Sequence, residues 1–460
     1  MKFEKADVSI IGLGKLGASM AAGMASRGIK VIGVDVSKDA IEAVNKGDAP
    51  VDETDLGKTI KSNIDNIRAT LDYSDAVLNS PVSFVIVPTP SNKQGDFSLK
   101  YAAQCFAEIG KVLRIKNDYH VVVLTSTVLP GATRCGLLPI LEKESGKKCG
   151  EDFGLCYNPE FIALGSIIRD FLNPDFYLLG EFDKRSGDML ASVHNRVSAN
   201  NAPIKRMNIE NAEIAKISLN SYVTLKISYA NMLADICERI PGADVDVVSD
   251  AIGADSRIGR KYLKGAVGFG GPCFPRDNVA LNFLGEYIGA ETKILRINDE
   301  YNRSISGRLL KRLKKHIPST GKAVVLGLSY KPFSHVVEEA TGIAFCRSLK
   351  ESGYEVFGYD PLAGKEAVKE LGSSISVLDS LENALNDADI VFITTPDPEF
   401  VSLTPQRFLN SGKKVYIVDF WRCLSDSFQN HANITYIPCG RCIDNEAAKQ
   451  SVSKIWAEIR

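Results

Sequence analysis

A cysteine that ends a glycine-rich loop is the first candidate for chemistry in this sequence. The segment 268–277 reads GFGGPCFPRD, so Cys273 stands four residues before Asp277. A helix is expected to begin near Pro275, and the dipole at a helix N-terminus favours the thiolate form of a nearby cysteine. The pattern indicates a nucleophile at Cys273. The alternative is a small core cysteine beside a tight loop.

Polar residues that could assist a nucleophile occur at three further places. Lys216 and Asn220 are four residues apart, which places them on one face of a predicted helix, where a cation and an amide could stabilise one oxyanion. A solvated helix face is the alternative. Glu160 follows one predicted strand, and Ser126–Val128 closes another, at the sheet edge where ligands bind.

A glycine-rich turn follows the first predicted strand directly. Residues 12–17 read GLGKLG and open a helix, and this strand-turn-helix context is typical of a dinucleotide site. A carboxylate at the end of the second strand can accept from both ribose hydroxyls, so NAD is expected rather than NADP. A glycine-rich turn that binds no dinucleotide is the alternative. The predicted cofactor residues here are Gly12, Gly14, Lys15, Leu16 and Asp35.

Short β-branched runs alternate with longer helical patterns in both ends of the chain. This alternation is typical of a parallel sheet covered by helices on both faces. A proline-free stretch from about residue 208 to 238 predicts a long helix, and more helix is expected to about residue 316. The strand pattern then restarts without a second GxGxxG. We expect an α/β protein with two Rossmann-like, doubly wound domains joined by a central long helix and helical region, divided as 1–207, 208–316 and 317–460.

Composition excludes several classes of protein. The chain has 460 residues, more than one core usually organises, and a net charge of −1, so neither nucleic acid nor a membrane is an expected partner. Its start lacks a signal-peptide pattern, and no run is apolar enough to span a bilayer. Ten dispersed cysteines indicate reduced thiols of a cytoplasmic protein. The histidines form no ligand cluster, and the CxxC at Cys439 and Cys442 has no second pair, so no metal site is expected.

Further motifs accompany the glycine turn, the Lys216 and Asn220 pair and the cysteine loop. They are Val87–Pro90, Ser126–Val128, Asn158–Phe161, Arg257–Gly259, Val325–Pro332, Tyr359–Pro361 and Asp419–Arg422. With these motifs in this order, the sequence resembles the UDP-glucose/GDP-mannose dehydrogenase family from its first strand to about residue 425. Members of that family oxidise the primary alcohol of a sugar nucleotide to a carboxylate and reduce two NAD per sugar.

The resemblance implies roles for the residues around the cysteine. Lys216, or a water held by Asp277, would take the proton of the alcohol. Cys273 would trap the aldehyde as a thiohemiacetal, and a second hydride transfer would give a thioester. Lys216 and Asn220 would stabilise the oxyanions formed along the way.

The same resemblance assigns the hydrolytic step and the rest of the cofactor site. Glu160 and Thr127 would position or activate the water that hydrolyses the thioester. Four positions near the ends of two strands would complete the contacts with NAD. These positions are Pro88, Thr89, Ser126 and Thr127.

For the substrate, the resemblance implies that the second Rossmann-like domain holds the nucleotide diphosphate. Arg257 matches a residue that reaches the substrate from the partner subunit in some members, and a homodimer through the central helical domain is expected. UDP-glucose is the expected substrate because the cysteine loop and the helical lysine motif look most like that branch; UDP-N-acetylhexosamines and GDP-mannose stay open. The expected substrate contacts are Glu160, Phe161, Lys216, Asn220, Arg257, Phe269, Gly270, Lys331 and Arg422.

Four positions depart from the family pattern. Leu164 replaces an acid that usually precedes the following glycine, and Phe176 replaces an arginine. Glu338 stands in place of another arginine, and Arg276 in place of a frequent lysine. Leu164 and Glu338 occupy positions that contact NAD in some members.

Three other functions remain as alternatives. A two-electron β-hydroxyacid dehydrogenase shares a Rossmann domain followed by long helices, but it needs neither Cys273 nor a second Rossmann-like domain. A dinucleotide-sensing regulatory protein would not need Lys216, Cys273 and Asp277 together. A family member that binds a sugar nucleotide without turnover is the third.

Overall fold

The computed structural model describes residues 3–409, 412–429 and 431–457. The chain divides into two compact units, residues 1–219 and 220–460. The division falls inside one long helix, Ile209–Cys237, which matches the helix predicted from about 208 to 238.

The first unit is built on an eight-stranded sheet with helices on both faces. Its strands are β1 (Val8–Ile11), β2 (Val31–Val34), β3 (Ile67–Thr70), β4 (Val82–Val85), β5 (Val121–Leu124), β6 (Gly154–Tyr157), β7 (Tyr177–Glu181) and β8 (Ile204–Asn208). Its helices are α1 (Lys15–Ser26), α2 (Lys38–Lys46), α3 (Leu56–Ser62), α4 (Tyr73–Leu78), α5 (Lys100–Leu113), α6 (Leu138–Ser145), α7 (Ile167–Leu172), α8 (Lys184–Val197) and the start of α9 (Ile209–Cys237). A π-helical turn, Ala132–Leu137, leads into α6.

The strand order of this sheet places a switch point at its centre. The order is β3-β2-β1-β4-β5-β6-β7-β8, and only β6 and β7 pair antiparallel. The order reverses between β1 and β4, and ligands of doubly wound sheets bind at the carboxyl ends of the strands beside such a reversal. The residues after Ile11 and Val85 therefore line the expected crevice.

Near-continuous apolar runs explain why the central strands form here. Every residue of β1 and β5 is buried, with Phe84 packed on one face of the sheet and Phe106 on the other. Burying such a side chain contributes about 1.5–3 kcal/mol, so both faces of the sheet stabilise the strands. The strand ends that carry the polar motifs thus start from a rigid base.

The second unit combines a helical region with a six-stranded sheet. After α9 come α10 (Val245–Gly253), α11 (Phe274–Tyr287), α12 (Lys293–Arg303) and α13 (Ile305–Leu313). The sheet region has strands β9 (Lys322–Leu326), β10 (Glu355–Tyr359), β11 (Ser376–Val377), β12 (Ile390–Ile393), β13 (Val415–Asp419) and β14 (Ile434–Pro438). Its helices are α14 (Thr341–Glu351), α15 (Gly364–Leu371), α16 (Leu381–Leu385), α17 (Pro398–Val401), α18 (Gln406–Leu409) and α19 (Asn445–Ala457).

The second sheet is parallel throughout, in the order β11-β10-β9-β12-β13-β14. The predicted fold class is confirmed: two doubly wound α/β sheets with helices between them in the chain. The strand pattern does not predict the edge strands β3, β8, β11 and β14, nor β7 beside an edge. An edge strand is less enclosed and does not need the continuous apolar run of a central strand. Within the described residues, no helix has the length and apolar character of a membrane span.

Candidate active site

The glycine turn after β1 has the geometry of a diphosphate cradle. Gly12 has φ +100°, and a side chain there would overlap the carbonyl oxygen of Ile86. A side chain at Gly17 would overlap the carbonyl oxygen of Gly12. At Gly14, by contrast, an added Cβ would meet no described atom within 4 Å. The backbone at Gly12 and Gly17 therefore packs closely against other backbone atoms. The backbone at Gly14 faces open space at the N-terminus of α1, where a diphosphate is favoured.

A carboxylate fixes the turn to the end of β2. Asp35 accepts a hydrogen bond from the backbone N–H of Leu13 at 2.7 Å and from that of Ser37 at 2.9 Å. Its side chain is only half-buried, so oxygen lone pairs remain for a ribose diol. Together with the open space at Gly14, this donor and acceptor set fits NAD.

The ends of β4 and β5 are joined by hydroxyl groups. Ser126 Oγ donates to the carbonyl oxygen of Val87 at 2.6 Å and accepts from its N–H at 2.9 Å. Thr89 Oγ1 donates to the carbonyl oxygen of Thr127 at 2.7 Å. Pro88 lies between Val87 and Thr89 in the chain and is exposed. The structure thus brings the predicted residues 88, 89, 126 and 127 together at the switch point.

Lys216 lies against the segment after β6. Its Nζ donates to the backbone carbonyl of Glu160 at 2.6 Å and lies 4.5 Å from the centre of the Phe161 ring. Lys216 itself is buried. Phe176, one of the departures from the family pattern, packs on Phe161 with ring centres 5.2 Å apart.

The carboxyl group of Glu160 ionises close to neutral pH. Burial raises its pKa to about 8, and the charge of Lys216 opposes that rise. The residue keeps some surface, but its Oε1 is enclosed and accepts no hydrogen bond from the described residues. A buried carboxyl of this kind is suited to general acid–base work near neutrality.

Cys273 caps the N-terminus of α11 and is exposed to solvent. The helix begins at Phe274, with Pro275 in its first turn, close to the predicted start. Asp277, one turn into α11, is buried and accepts a hydrogen bond from Asn220 Nδ2 at 2.7 Å. Asn220 on α9 and Asp277 on α11 are therefore in direct contact within the second unit, and Cys273 lies at the start of the same helix α11.

Segments distant in sequence hold the cysteine loop. The backbone of Phe269 forms two hydrogen bonds with the side chain of Asn302, at 2.8 and 2.9 Å. Gly271 has φ +81° and donates its N–H to the carbonyl of Glu338 at 2.9 Å. A side chain at Gly270 would overlap the carbonyl of Glu339, which explains glycine there.

Tyr330, a neighbour of this loop, lies within the Val325–Pro332 motif, but the sequence analysis assigned it no role. A Cβ on Gly271 would lie 2.6 Å from its ring, so the ring packs directly on the glycine turn. Burial, followed by the charge of Cys273, raises the pKa of Tyr330 to about 12. Only the folded loop makes Tyr330 and Gly271 adjacent, because a long stretch of sequence separates them.

The predicted nucleotide contacts in the second unit have different settings. Lys331 is half-buried after β9, its Nζ 5.6 Å from the centre of the Tyr330 ring. Arg257 is highly exposed on a loop and pairs with Asp255, with Nη2 to Oδ2 at 2.5 Å. Neither side chain is fully buried.

Arg422 is enclosed instead, with its side chain 1% exposed. Its Nε and Nη2 donate to Asp246 at 2.7 and 3.1 Å, and Nη2 also donates to the carbonyl of Gly265 at 2.7 Å. Nη1 donates to the carbonyls of Phe420 and Cys439. All five donors of the guanidinium are therefore used within the second unit. This geometry favours a structural role, and the substrate contact of Arg422 stays a prediction.

The remaining departures from the family pattern are Leu164, which follows the Glu160 segment, and Arg276 and Glu338, which lie in or beside the cysteine loop. Leu164 is half-buried beside Gly165, whose N–H donates to Glu53 at 2.8 Å. Arg276 Nε lies 3.3 Å from Asp277 Oδ1. The side chain of Glu338 is exposed. Among the described residues, no group of three or more potential ligands could hold a metal ion.

The open glycine turn at a switch point, with its half-buried aspartate, defines an oxidoreductase that uses NAD. Three models of one family match the chain in succession: the NAD binding domain at 6–198, the central domain at 210–304 and the UDP binding domain at 324–426. The chain belongs to the UDP-glucose/GDP-mannose dehydrogenase family. This assignment replaces the β-hydroxyacid dehydrogenase alternative.

Similar proteins cover nearly the whole chain. UDP-glucose 6-dehydrogenase AglM of Haloferax volcanii is 35% identical over 419 residues, which are 89% of this chain and 97% of that relative. GDP-mannose 6-dehydrogenase of Pseudomonas aeruginosa is 33% identical over 422 residues, covering 89% and 95%. A UDP-glucose dehydrogenase structure from Pyrobaculum islandicum is 30% identical, with a TM-score of 0.83 over 95% of this chain and 98% of that one. The protein is therefore an NAD-dependent nucleotide-sugar 6-dehydrogenase.

Proposed function

We propose that this enzyme oxidises UDP-glucose to UDP-glucuronate in a four-electron reaction that proceeds through a covalent bond to Cys273. The observation that carries the proposal is the exposed thiol of Cys273 at the first turn of α11. A helix N-terminus favours the thiolate, and a covalent intermediate lets one site perform two oxidations without releasing the aldehyde.

In the first oxidation, a base removes the proton of the C6 alcohol. Lys216, or a water held by Asp277, takes this proton. The buried Asn220–Asp277 hydrogen bond of 2.7 Å supports such a water site, because it fixes the orientation of the carboxylate. NAD held by the glycine turn and Asp35 would supply the hydride acceptor, one NAD for each of the two oxidations.

In the second stage, the thiolate of Cys273 adds to the aldehyde carbon and forms a thiohemiacetal. Transfer of a hydride from that carbon to a second cofactor molecule, with loss of the proton from its hydroxyl oxygen, gives a thioester. Lys216 and Asn220 stabilise the oxyanions of these steps, since a cation and an amide donor four residues apart on α9 share one helix face.

Hydrolysis of the thioester releases the carboxylate and regenerates the thiol. Water adds to the thioester carbon, the C–S bond breaks, and one proton passes to the sulfur. Glu160 and Thr127 position or activate this water. The pKa of Glu160, about 8, supports the assignment because the group can change its protonation state near neutral pH.

UDP-glucose is the proposed substrate because two curated relatives and one solved structure among the similar proteins are named for it. GDP-mannose is the second candidate, because a relative named for it is 33% identical over a similar length. UDP-N-acetylhexosamines stay a third candidate from the sequence resemblance.

The three segments 1–207, 208–316 and 317–460 are proposed as the NAD-binding, central and sugar-nucleotide-binding domains. The half-buried ammonium of Lys331 supports a contact with the diphosphate, since phosphate oxygens accept from such a donor. Arg422 contacts the substrate only if its buried hydrogen bonds rearrange. The other proposed substrate contacts are Glu160, Phe161, Lys216, Asn220, Arg257, Phe269 and Gly270.

We also propose a homodimer through the central helices. Apolar side chains stand exposed along the second-unit part of α9, among them Tyr222 at 59% and Tyr229 at 51%. Met232 and Ile236 continue the exposed set. Contiguous apolar surface of this kind is typical of a protein–protein interface.

The test is the number of NADH formed per sugar nucleotide consumed at saturating NAD, with UDP-glucose, UDP-GlcNAc, UDP-GalNAc and GDP-mannose. Two NADH per UDP-glucose support the proposal. Two with another sugar nucleotide keep the reaction and change the substrate, and one NADH contradicts the thioester stage. No turnover with any would favour binding without catalysis.

Cys273→Ser is the matched variant. Formation of the acid should fall by at least about a thousandfold, because the serine hydroxyl is a far weaker nucleophile. A variant that still performs the full oxidation would contradict the covalent stage. A biological function that survives this substitution would favour the dinucleotide-sensing alternative.

A further inference from the structure

Glu213 is a fully buried carboxylate on α9 to which neither the motifs nor the proposed reaction give a role. It is 0% exposed. Its Oε2 accepts from the N–H of Gly131 at 2.6 Å and its Oε1 from the N–H of Thr133 at 2.9 Å. A carboxylate enclosed in the fold is costly unless both oxygens are satisfied, and here backbone donors satisfy them.

The two donors follow Thr127 in the chain, in the segment 127–133, which is called the Thr127 loop below. Gly131 has φ +91° and is the N-cap of the π-helical turn Ala132–Leu137, so one donor immediately precedes this turn and the other, Thr133, lies in it. Single π-helical turns of this kind are frequent at functional sites. At its other end, the loop is tied to the cofactor side by Thr89 Oγ1, which donates to the carbonyl of Thr127 at 2.7 Å. The segment 127–133 is thus anchored at one end by Thr89 and at the other by Glu213.

The same helical turn of α9 also holds the Glu160 segment. Lys216 lies three residues after Glu213, on the same side of the helix, and donates to the carbonyl of Glu160 at 2.6 Å. One turn of α9 therefore forms hydrogen bonds with two loops, one that carries Thr127 and one that carries Glu160, the two residues assigned to thioester hydrolysis. A displacement of either loop by about 1 Å is sufficient to slow a reaction by orders of magnitude.

We propose that Glu213 is a positioning residue that holds Thr127 at the distance from Lys216 and Glu160 that thioester hydrolysis requires. This inference rests on the proposed function. Glu213 does not touch the substrate; it acts through the backbone of residues 131–133.

The test compares Glu213→Gln with a matched control on the same helix. Glutamine keeps the shape but directs an amide donor at a backbone N–H, so one of the two hydrogen bonds is lost. Glu210→Gln is the control, because Glu210 binds the side chain of Arg134 at the surface, at 2.5 Å, in the same turn. Rapid mixing with UDP-glucose and NAD separates the burst of NADH from the steady state, and mass spectrometry of the Cys273 peptide detects the thioester.

For Glu213→Gln we expect a burst near two NADH per competent site, a steady-state rate lowered at least about tenfold, and accumulation of the Cys273 thioester. Glu210→Gln should stay within about twofold of the wild type. Because rates are taken per burst site, misfolded protein does not enter the result. Glu213→Asp, which keeps the charge and shortens the reach, serves the same purpose if the glutamine variant does not fold.

A double-mutant cycle with Thr127→Ala tests whether the effect passes through Thr127. In the presence of Thr127→Ala, we expect Glu213→Gln to add less than about threefold, because both substitutions impair one step. Full additivity would overturn the inference, as would a steady-state rate within about twofold of the wild type or a slower rate without thioester accumulation. A wild-type enzyme that forms no thioester would instead refute the proposed function.

Discussion

In both sheets the first strand runs into a glycine with positive φ: Gly12 at +100° and Gly327 at +102°. Each glycine donates its N–H to the carbonyl at the end of the neighbouring strand, to Val34 at 2.7 Å and to Tyr359 at 2.8 Å. The next residue is a leucine that packs on a glycine of that strand, Gly33 or Gly358. The two turns share one backbone solution for joining a buried strand to the next segment of the chain.

The aspartates that come after the second strand of each sheet differ in the hydrogen-bonding capacity they leave available. Asp35 accepts two backbone hydrogen bonds and is half-buried. Asp360 is 6% exposed and accepts from the N–H groups of residues 328, 329, 362 and 363 and from the hydroxyl of Ser329. A saturated carboxylate cannot receive a ribose diol, whereas the first one can.

The connection to the next helix differs as well. After β1 only residues 12–14 precede α1, so the helix N-terminus lies at the glycine turn. After β9, residues 327–340 intervene before α14, and this longer loop carries Tyr330 and Lys331. The comparison teaches that both sheets share the glycine geometry, while the two turns differ in loop length and in whether the aspartate keeps unused lone pairs for a ligand.

The largest effect is expected from Asp360→Ala. The substitution leaves several enclosed N–H groups without acceptors, so the free energy of unfolding should fall by at least about 3 kcal/mol. Urea unfolding of the whole enzyme measures the change. If stability falls by less than about 1 kcal/mol, the hydrogen bonds of Asp360 do not hold the second turn together.

Asp35→Ala should instead act on the cofactor. Loss of the charged acceptor should weaken NAD binding about 10- to 100-fold, since a hydrogen bond to a charged group contributes about 1.5–3 kcal/mol. Relative use of NADP should improve because the negative charge is gone. Calorimetric titration with NAD and with NADP gives both numbers, and an unchanged affinity for NAD would break the comparison.

Gly14→Val and Ser329→Ala test the middle of each turn. Valine at position 14 enters open space, so the KM for NAD should rise about tenfold while the free energy of unfolding changes by less than about 1 kcal/mol.

Ser329 forms hydrogen bonds with Asp360 and Lys331, so its alanine variant should lose about 1 kcal/mol of stability and keep its KM for NAD. Equal effects of the two substitutions on NAD would contradict the distinction.

Acid should weaken the first unit before the second. Burial lowers the pKa of His120 and of His194 to about 3, with the charge of Lys116 adding to the effect on His120. In the unfolded chain these groups titrate near 6.5, so their stabilising contribution is complete above that pH and is lost as the pH falls toward 3. At a pH about one unit below 6.5, each histidine should have lost about 1–2 kcal/mol. Hydrogen exchange resolved by residue should show earlier opening in residues 3–219 than in the second unit, and the reverse order would contradict this expectation.

The predicted parts of the site are those that local chemistry specifies. Glycines 12, 14 and 17, Asp35 and the cysteine loop stand within short stretches whose backbone needs are visible in the residue types. The central strands are predictable for the same reason, because burial on both faces requires an unbroken apolar run. The edge strands β8 and β11 are not predicted, because polar residues interrupt them and part of their surface is exposed.

Residues that depend on distant partners could not be found in this way. Nothing near Tyr330 in the chain indicates that its ring packs on Gly271, and nothing near Glu213 indicates that Gly131 and Thr133 donate to it. Arg422 shows the converse: its motif predicts a substrate contact, while the fold surrounds it with acceptors for all its donors. The burial of a polar group depends on the segments that the rest of the chain brings to it.

The sequence by itself determined the fold class, the dinucleotide turn and the family, because each rests on residue types at short, fixed spacings, and the same kind of pattern predicts the cysteine nucleophile. The tertiary structure alone decided which carboxylates stay available and which are saturated, as the contrast of Asp35 with Asp360 shows. It also decided the pKa of Glu160, through burial, and the burial of Glu213 between α9 and the Thr127 loop. Hydrogen-bond saturation and desolvation depend on neighbours far apart in the chain, and only the folded protein brings these neighbours together.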